Sequence, residues 1–208
     1  MKLTTMTQIT VDGVMQGNGH ATPDELEAGF TRDGWAMGVF ADDTGEFITE
    51  TYQRAEAFLF GRRTYEMFQQ TWGTNQQMRE HPIGVALNKA PKYVVSNTLS
   101  DPSWTNTTLI SGLSGDITEA ILKLKASPGG ELQVHGSGAL IRRLLASDLV
   151  DEFTLLTVPV ILGQGTRLFP EAGLDVALDL ISSRSDAKGV TVQVYRPAGR
   201  PEYHPARP

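Results

Sequence analysis

The sequence predicts an α/β protein with a mainly parallel central sheet. Short apolar segments typical of strands alternate with helix-like segments through the middle of the 208-residue chain, the pattern of parallel strands joined by crossover helices. The later segment LDLISSRSDAKGVTVQVYRP instead predicts an antiparallel hairpin that turns at 186–189. Sheets of this type carry helices on both faces and bind ligands at the carboxyl ends of their strands.

The chain up to residue 110 supplies four predicted strands and two predicted helices. Residues 2–11 alternate weakly and predict a strand, which a long glycine-rich polar loop follows. The next elements are predicted in this order: a helix over 46–56, the apolar strand AFLFG over 57–61, a helix over 63–72, the β-branched strand KYVVS over 92–96, and a further strand ending at 109–110.

The second half continues the alternation. Asp116, with Glu119 three residues later, resembles a capping box and predicts the start of a helix that ends at Pro128-Gly129-Gly130. The strand ELQVHG then leads into the amphipathic helix SGALIRRLLASDL. The run over 152–162 predicts a strand whose apolar character is too continuous for a solvent-exposed face.

The domain organisation predicted from these elements is simple. No internal repeat or low-complexity linker divides the chain, so we expect one domain over 1–197. Residues 198–208 contain three prolines and little to bury, which predicts an exposed tail.

Composition excludes several functions. The net charge is −6 and no Lys/Arg cluster is present, so a nucleic-acid partner is not expected. The chain has no cysteine, which rules out thiolate catalysis and cysteine-ligated metals. Its four histidines lack metal-ligand spacing, and no apolar run approaches the ~18 residues of a membrane span. We therefore expect a cytoplasmic protein with no metal and no membrane association.

Glycine-rich turns at strand–helix junctions suggest anion sites. Gly136-Ser137-Gly138 joins a predicted strand to a helix whose N-terminal N–H groups would suit a phosphate. The alternative is an ordinary turn with Ser137 as N-cap, and the sequence leaves both interpretations open. A Rossmann fingerprint is not present, because Ile141 occupies the third glycine position.

Two other strand ends strengthen the anion interpretation. Gly61-Arg62-Arg63-Thr64 places two cations and a hydroxyl at a helix start, although a solvated arginine pair is the alternative. Ser96-Asn97 follows a third strand. Three such sites at one edge of a sheet would suit the phosphates of a dinucleotide.

Asp12 and Trp35 are candidates for the reacting end of the site. Asp12 follows the first strand and could orient a substrate or relay a proton, or could simply form an Asp-Gly turn. Trp35 could stack on a ligand or pack in the core, and His135 could be an ordinary core histidine.

Five segments in order carry a family resemblance: VDGVM at 11–15, GRRTYE at 61–66, KYVVS at 92–96, HGSG at 135–138 and PVILG at 159–163. Together they resemble the dihydrofolate-reductase-like family built on the RibD C-terminal reductase domain of riboflavin biosynthesis. The resemblance covers roughly residues 2–197. It implies a mainly parallel sheet flanked by helices, antiparallel strands at the end of the domain, and NADPH as cofactor.

The resemblance also implies residue roles. Gly61, Arg62, Arg63 and Thr64 would meet the NADPH phosphates, and Ser96 and Asn97 would lie near the adenosine 2′-phosphate. The pyrophosphate would be cradled by Gly136, Ser137, Gly138, Ala139 and Leu140. Asp12, Trp35 and the loop from Gly163 would border the nicotinamide and a small-molecule substrate, with Asp12 as the catalytic candidate.

The activity implied is hydride transfer from NADPH to a C=N or C=C bond of a small heterocycle or sugar imine, as in 5-amino-6-(5-phosphoribosylamino)uracil reductase. Those pyrimidine reductases carry a glutamate where this chain has His135. Alternatives are a pterin reductase and a non-catalytic nucleotide-binding module of the same fold. The resemblance further suggests a homodimer, with TLLTVPVIL (154–162) as a candidate interface.

Overall fold

A computed structural model describes residues 1–113, 115–173 and 175–204. It contains eight strands, which are β1 Lys2–Thr10, β2 Ala55–Gly61, β3 Lys92–Val95, β4 Thr107–Ile110, β5 Glu131–His135, β6 Glu152–Val158, β7 Leu178–Ser185 and β8 Thr191–Pro197. The α-helices are α1 Pro23–Glu27, α2 Asp42–Gln53, α3 Arg62–Phe68, α4 Gln76–Glu80, α5 Pro82–Lys89, α6 Ile117–Ala126 and α7 Gly138–Ala146, and a π-helix spans Gln69–Thr74.

All eight strands form one sheet in the order β4-β3-β2-β5-β1-β6-β8-β7. Strands β1 to β6 are mutually parallel, whereas β8 is antiparallel to both β6 and β7. The predicted α/β class, parallel sheet and closing hairpin are therefore confirmed. Because the six parallel strands share one direction, their carboxyl ends lie at one edge of the sheet.

Helices cover both faces of this sheet. Side chains of α6 and α7 pack on one face around Leu132, Ile141 and Phe153. Side chains of α2 and α5 pack on the other face around Phe58 and Leu87. None of the helices in the described part of the chain has the length and apolar character needed to cross a membrane.

Several predicted element boundaries were wrong, and α7, for example, ends at Ala146 rather than 149. Helix α2 begins at Asp42 and ends at Gln53, because the acidic start suits the positive end of the helix dipole. Helix α3 ends at Phe68 and continues as the π-helix. Strand β6 ends at Val158 rather than 162, since Pro159 has no N–H with which to continue the ladder.

A buried lysine fixes the end of α5. The Lys92 side chain is fully buried, and its Nζ donates to the carbonyl oxygens of Leu87 at 2.7 Å and Ala90 at 2.9 Å. Its ammonium also lies 4.8 Å from the ring centroid of Trp104. Burial lowers the pKa of this amine from 10.5 to about 8, so the charge and its contacts are retained at neutral pH.

The segment 154–162 does not form the edge of the sheet. Strand β6 lies between β1 and β8, and Leu156 and Val158 are buried. The edge strand is β7, which exposes the apolar side chains of Leu178, Leu180 and Ile181. Any dimer that uses this end of the sheet would thus meet β7 before β6.

Two helical glycines should respond oppositely to alanine. A Cβ on Gly84 in α5 would lie 1.9 Å from the Met78 carbonyl oxygen, whereas a Cβ on Gly45 in α2 meets nothing within 4 Å. We expect Gly84→Ala to lower the free energy of unfolding by about 1–3 kcal/mol or more, because backbone must move. Gly45→Ala should raise it by up to about 1 kcal/mol. Urea denaturation measures both, and a Gly84→Ala protein as stable as the parent would contradict the close helix contact.

Candidate functional site

Five loops meet at the carboxyl edge of the parallel strands, as predicted: residues 12–19, 61–64, 96–98, 136–139 and 163–166. The loops after β2 and β5 are bonded directly to each other. The Gly61 N–H donates to Ser137 Oγ at 3.0 Å, and the Ser137 N–H donates to Thr64 Oγ1 at 3.1 Å. Two of the predicted anion sites therefore form one continuous structure.

Ser137 is not an ordinary N-cap. It adopts a left-handed conformation with φ 49°, directly after Gly136 with φ 57°, and its hydroxyl makes no capping bond to α7. A non-glycine residue at positive φ is uncommon and requires support from its surroundings. Here the bonds to Gly61 and Thr64 provide that support. The first-turn N–H groups of α7 are consequently left without a side-chain cap.

The second glycine of this turn lies against the loop after β1. A Cβ on Gly138 would lie 2.4 Å from Met15 Sδ, so glycine lets the Met15 side chain approach the start of α7, and its predicted role in making room for a phosphate stays a prediction. Leu140 is 6% exposed and packs in the core, which leaves only its backbone amide for a ligand. Ala139 is exposed at the helix start.

Arg62 connects this structure to the loop after β3. Its Nε donates to Glu66 Oε1 at 2.7 Å, and its guanidinium also donates to Thr98 Oγ1 at 2.6 Å. Arg63 is exposed and makes no hydrogen bond or ion pair with the described residues. Of these two arginines, Arg62 has a braced guanidinium and Arg63 has one without a partner in the described part of the chain.

Ser96 and Asn97 shape the neighbouring turn. The buried Ser96 hydroxyl accepts from the N–H groups of Thr98 at 3.1 Å and Leu99 at 3.0 Å. Asn97 Oδ1 accepts from the Gly112 N–H at 2.8 Å. The Ser96 hydroxyl also lies 3.5 Å from Thr98 Oγ1. The predicted cofactor role of both residues remains a prediction, and the Asn97 NH₂ is a donor that could serve it.

Asp12 forms a turn and also holds the loop after β6. The Gly13 N–H donates to the Thr10 carbonyl at 2.9 Å, which closes the Asp-Gly turn. The Asp12 carboxylate accepts from the Thr10 hydroxyl at 2.6 Å and from the N–H groups of Leu162 at 3.1 Å and Gly163 at 2.8 Å. These bonds, led by the Thr10 hydroxyl, lower the pKa of Asp12 from 3.8 to about 2. Its carboxylate is therefore ionised near neutral pH, which disfavours a proton-relay role and favours a positioning role.

Trp35 lies on the same side of the edge as Asp12. Its Nε1 donates to the Gln16 carbonyl at 2.7 Å, which fixes the indole ring. The side-chain oxygen of Gln16 in turn accepts from the Thr166 N–H at 2.8 Å, and Arg167 Nε donates to the Asp12 carbonyl at 2.8 Å. The loops that contain the predicted substrate residues Trp35 and Gly163 are thus held together.

A buried polar layer beneath the site was missed by sequence reasoning. His135 stacks on Tyr52, with ring centroids 3.9 Å apart, and its Nε2 lies 2.9 Å from Gln133 Oε1. The Gln133 NH₂ group donates to the Thr51 carbonyl at 2.7 Å and to Glu131 Oε2 at 2.6 Å. Because the Gln133 oxygen is then left as acceptor, His135 carries its proton on Nε2. The alternation of Glu131, Gln133 and His135 along β5 was the available signal.

His135 should make the protein sensitive to mild acid. Burial lowers the pKa of its imidazole from 6.5 to about 3, so the unfolded chain binds this proton more readily below neutral pH. The His135 contribution to stability is full above pH 6.5 and declines as the pH falls toward 3. Linkage predicts a loss of about 2 kcal/mol between roughly pH 7.5 and pH 5.

Urea denaturation at those two pH values measures this loss. In His135→Gln the pH dependence should shrink by the same amount, whereas His20→Gln, at a largely exposed histidine, should leave it unchanged. An identical pH dependence in the parent and in His135→Gln would contradict a neutral buried imidazole.

The sheet order, the antiparallel final strands and the joined loops at the carboxyl edge define a dihydrofolate-reductase-like fold. The chain is similar to a putative riboflavin biosynthesis protein from Shewanella sp. PV-4, with TM-score 0.70, 22% identity, and coverage of 95% of this chain and 99% of that chain. It is also similar to dihydrofolate reductase from Enterococcus faecalis complexed with NADP(H), with TM-score 0.59, 13% identity, and coverage of 94% and 96%.

The match to a family model covers residues 1–192 and identifies the RibD C-terminal domain. The chain belongs to the RibD C-terminal domain family, as its sequence motifs predicted. A curated relative is the uncharacterized protein YyaP of Bacillus subtilis, which is 27% identical over 179 residues, spanning 82% of this chain and 92% of the relative.

Proposed function

We propose that this protein is an NADPH-dependent reductase that transfers hydride to a C=N or C=C bond of a small heterocycle or sugar imine. The observation that carries the proposal is the joined pair of loops after β2 and β5. Gly61, Thr64 and Ser137 hold these loops together, and they lie at the uncapped start of α7. Helix N-termini of this kind bind phosphate through free N–H groups and the helix dipole.

The residues at this edge fit a dinucleotide phosphate group. The exposed start of α7 at Ala139 offers backbone donors, and Arg63 offers a guanidinium free of partners among the described residues. Arg62 is braced toward the loop of Ser96 and Asn97, where it supports recognition of a 2′-phosphate. NADPH, when bound, would supply the hydride and solvent water the proton that completes the reduction, and the chain's own residues would bind and orient the cofactor.

The acceptor would lie beside Asp12, Trp35 and Gly163. Membership of the RibD C-terminal domain family supports a substrate of the riboflavin-pathway type, and the likeness in fold to dihydrofolate reductase makes a pterin the second candidate. His135 favours a substrate different from that of the pyrimidine reductases, because a neutral, buried imidazole lies where those enzymes carry a glutamate.

A non-catalytic nucleotide-binding module is the second candidate function. It is favoured by Asp12, the predicted catalytic carboxylate, whose oxygens are already occupied by three hydrogen bonds. The deciding experiment follows NADPH oxidation against a panel of pterins, flavin precursors and cyclic imines, with NADPH affinity measured in parallel. Turnover of any acceptor supports the reductase, tight NADPH binding without turnover supports the module, and absence of NADPH binding contradicts both.

We also propose a homodimer, supported by the exposed apolar side chains of Leu178, Leu180 and Ile181 on the edge strand β7. An exposed apolar edge strand tends to pair with another chain. Light scattering should therefore give twice the chain mass at micromolar concentration, and Leu180→Lys should shift the mass toward the monomer. A monomer mass for the parent would refute the proposal.

A further inference from the structure

A depression of about 380 Å³ opens at the carboxyl end of β6, next to the loops proposed to border the acceptor. It is lined by Trp35, Val39, Val158, Pro159, Val160 and Lys188. Five of these six side chains are apolar or aromatic, and one is a cation. Ligand clefts are commonly lined in this way, mostly by apolar side chains with a few polar groups that set the orientation of the ligand.

The single cation is held at a fixed position. Lys188 Nζ donates to the carbonyl oxygens of Gly38 and Phe40, each at 3.0 Å. An ammonium has three N–H donors, so one donor remains for a ligand. Among the residues that the structure describes, none forms an ion pair with this ammonium.

The neighbouring carboxylate does not neutralise this cation. Asp186 lies two residues before Lys188, but its carboxylate accepts from the backbone N–H groups of Ala41 at 3.1 Å, Lys188 at 2.9 Å and Val190 at 3.0 Å. It is therefore used to close the hairpin and to fix the start of α2. The ammonium beside the depression thus has no carboxylate partner among the residues that the structure describes.

An aromatic ring also lines the depression. The Trp35 indole is anchored by the bond from its Nε1 to the Gln16 carbonyl. The Val11 N–H donates to the Val160 carbonyl at 2.9 Å, which places Val160 beside Asp12 and the end of β1. Apolar walls with one cation disfavour a cationic or highly polar ligand and suit a flat ring with one negative group.

We propose that this depression binds a planar, largely apolar molecule that carries one carboxylate. Its ring lies against Trp35 and Val160, and its carboxylate accepts from Lys188. The assignment of this molecule as the hydride acceptor rests on the proposed reductase function, whereas the binding itself does not.

The test compares benzoate with benzamide, which have the same shape but differ in charge. Each is titrated into ¹⁵N-labelled protein without NADPH at low ionic strength, and the Trp35 indole N–H resonance, assigned with Trp35→Phe, is followed. Because Lys188 is exposed to solvent, we expect benzoate to bind up to about fivefold more tightly than benzamide.

Three variants separate charge recognition from a structural role. Lys188→Gln should abolish the preference for benzoate, and Lys188→Arg should retain it. Lys123→Gln, which removes an exposed lysine from α6, controls for net charge and should also retain the preference. General loosening of the loop at 38–40 would weaken the binding of both probes equally and leave the ratio of their affinities unchanged.

The outcomes distinguish this proposal from the reductase function. A benzoate preference that requires Lys188 supports the site even if no acceptor on the panel is reduced. Equal binding of both probes, a preference that survives Lys188→Gln, or no shift of the Trp35 resonance overturns the site, even where NADPH-dependent turnover is found.

Discussion

Asp12→Asn should slow turnover by about 10- to 150-fold, because each hydrogen bond to a charged group contributes roughly 1.5–3 kcal/mol. The Asp12 carboxylate accepts two N–H groups of the loop at Leu162 and Gly163. An asparagine turns an NH₂ group toward one of those donors, which releases part of the loop beside the acceptor. NADPH affinity should change little, since the cofactor contacts proposed above lie on other loops.

The size of the effect and its pH dependence separate two roles for Asp12. General acid–base catalysis would make the loss about 10²–10⁴-fold and would remove an ionisation from the pH–rate profile. A pKa near 2 for Asp12 predicts no such ionisation near neutral pH. Asp24→Asn on α1, at an exposed position, is the matched control. Turnover of Asp12→Asn equal to that of the parent would show that the loop contact is dispensable.

Arg62→Ala should weaken NADPH binding by about 10- to 150-fold, which corresponds to loss of one hydrogen bond to a charged group. NADH binding should weaken much less, because NADH lacks the 2′-phosphate. The structure braces Arg62 against Glu66 and Thr98, so its guanidinium is already oriented toward the loop of Ser96. Calorimetry with both cofactors measures the difference.

Two comparisons make the Arg62 result interpretable. Arg63→Ala removes a guanidinium that has no partner among the described residues. A loss of NADPH affinity in this variant therefore reports a lost contact with the cofactor and not a lost contact within the protein. Arg79→Ala on α4 removes an exposed cation of the same type and should leave both affinities unchanged. Equal affinity of the parent for NADPH and NADH would contradict the 2′-phosphate role.

Local patterns predicted the strands and the edge where the loops meet. The apolar runs of β2 and β5 and the period of α7 are set by neighbours within a few residues, so periodicity reveals them. Element ends were less predictable, because they depend on tertiary contacts. The π-helix after Phe68 is an example: a Cβ on Gly73 within it would lie 3.0 Å from Trp104 Nε1, a contact that no local pattern encodes.

The candidate site likewise combines features that local sequence predicts with features that depend on tertiary contacts. The glycines at 136 and 138 indicated a special backbone, but the contact of Gly138 with Met15 joins residues far apart in the sequence. Asp12 was predictable as a turn residue, whereas its bond to Gly163 spans 151 residues. Sequence patterns thus locate the site, and the partner of each side chain emerges only from the folded topology.

The central position of β1 has a consequence for synthesis of the chain. Strand β1 pairs only with β5 and β6, in the registers Lys2 with Glu131 and Thr4 with Glu152. At ribosomal rates of 5–20 residues per second, roughly 6–26 s pass between the synthesis of β1 and the synthesis of β5, its first partner strand. Until then both edges of β1 are unpaired, and a nascent chain that stops before β5 lacks the middle of its sheet. Completion of the sheet in the newly made protein therefore depends on the last third of the chain. The time during which chaperones can bind the unpaired β1 is set by the speed of translation.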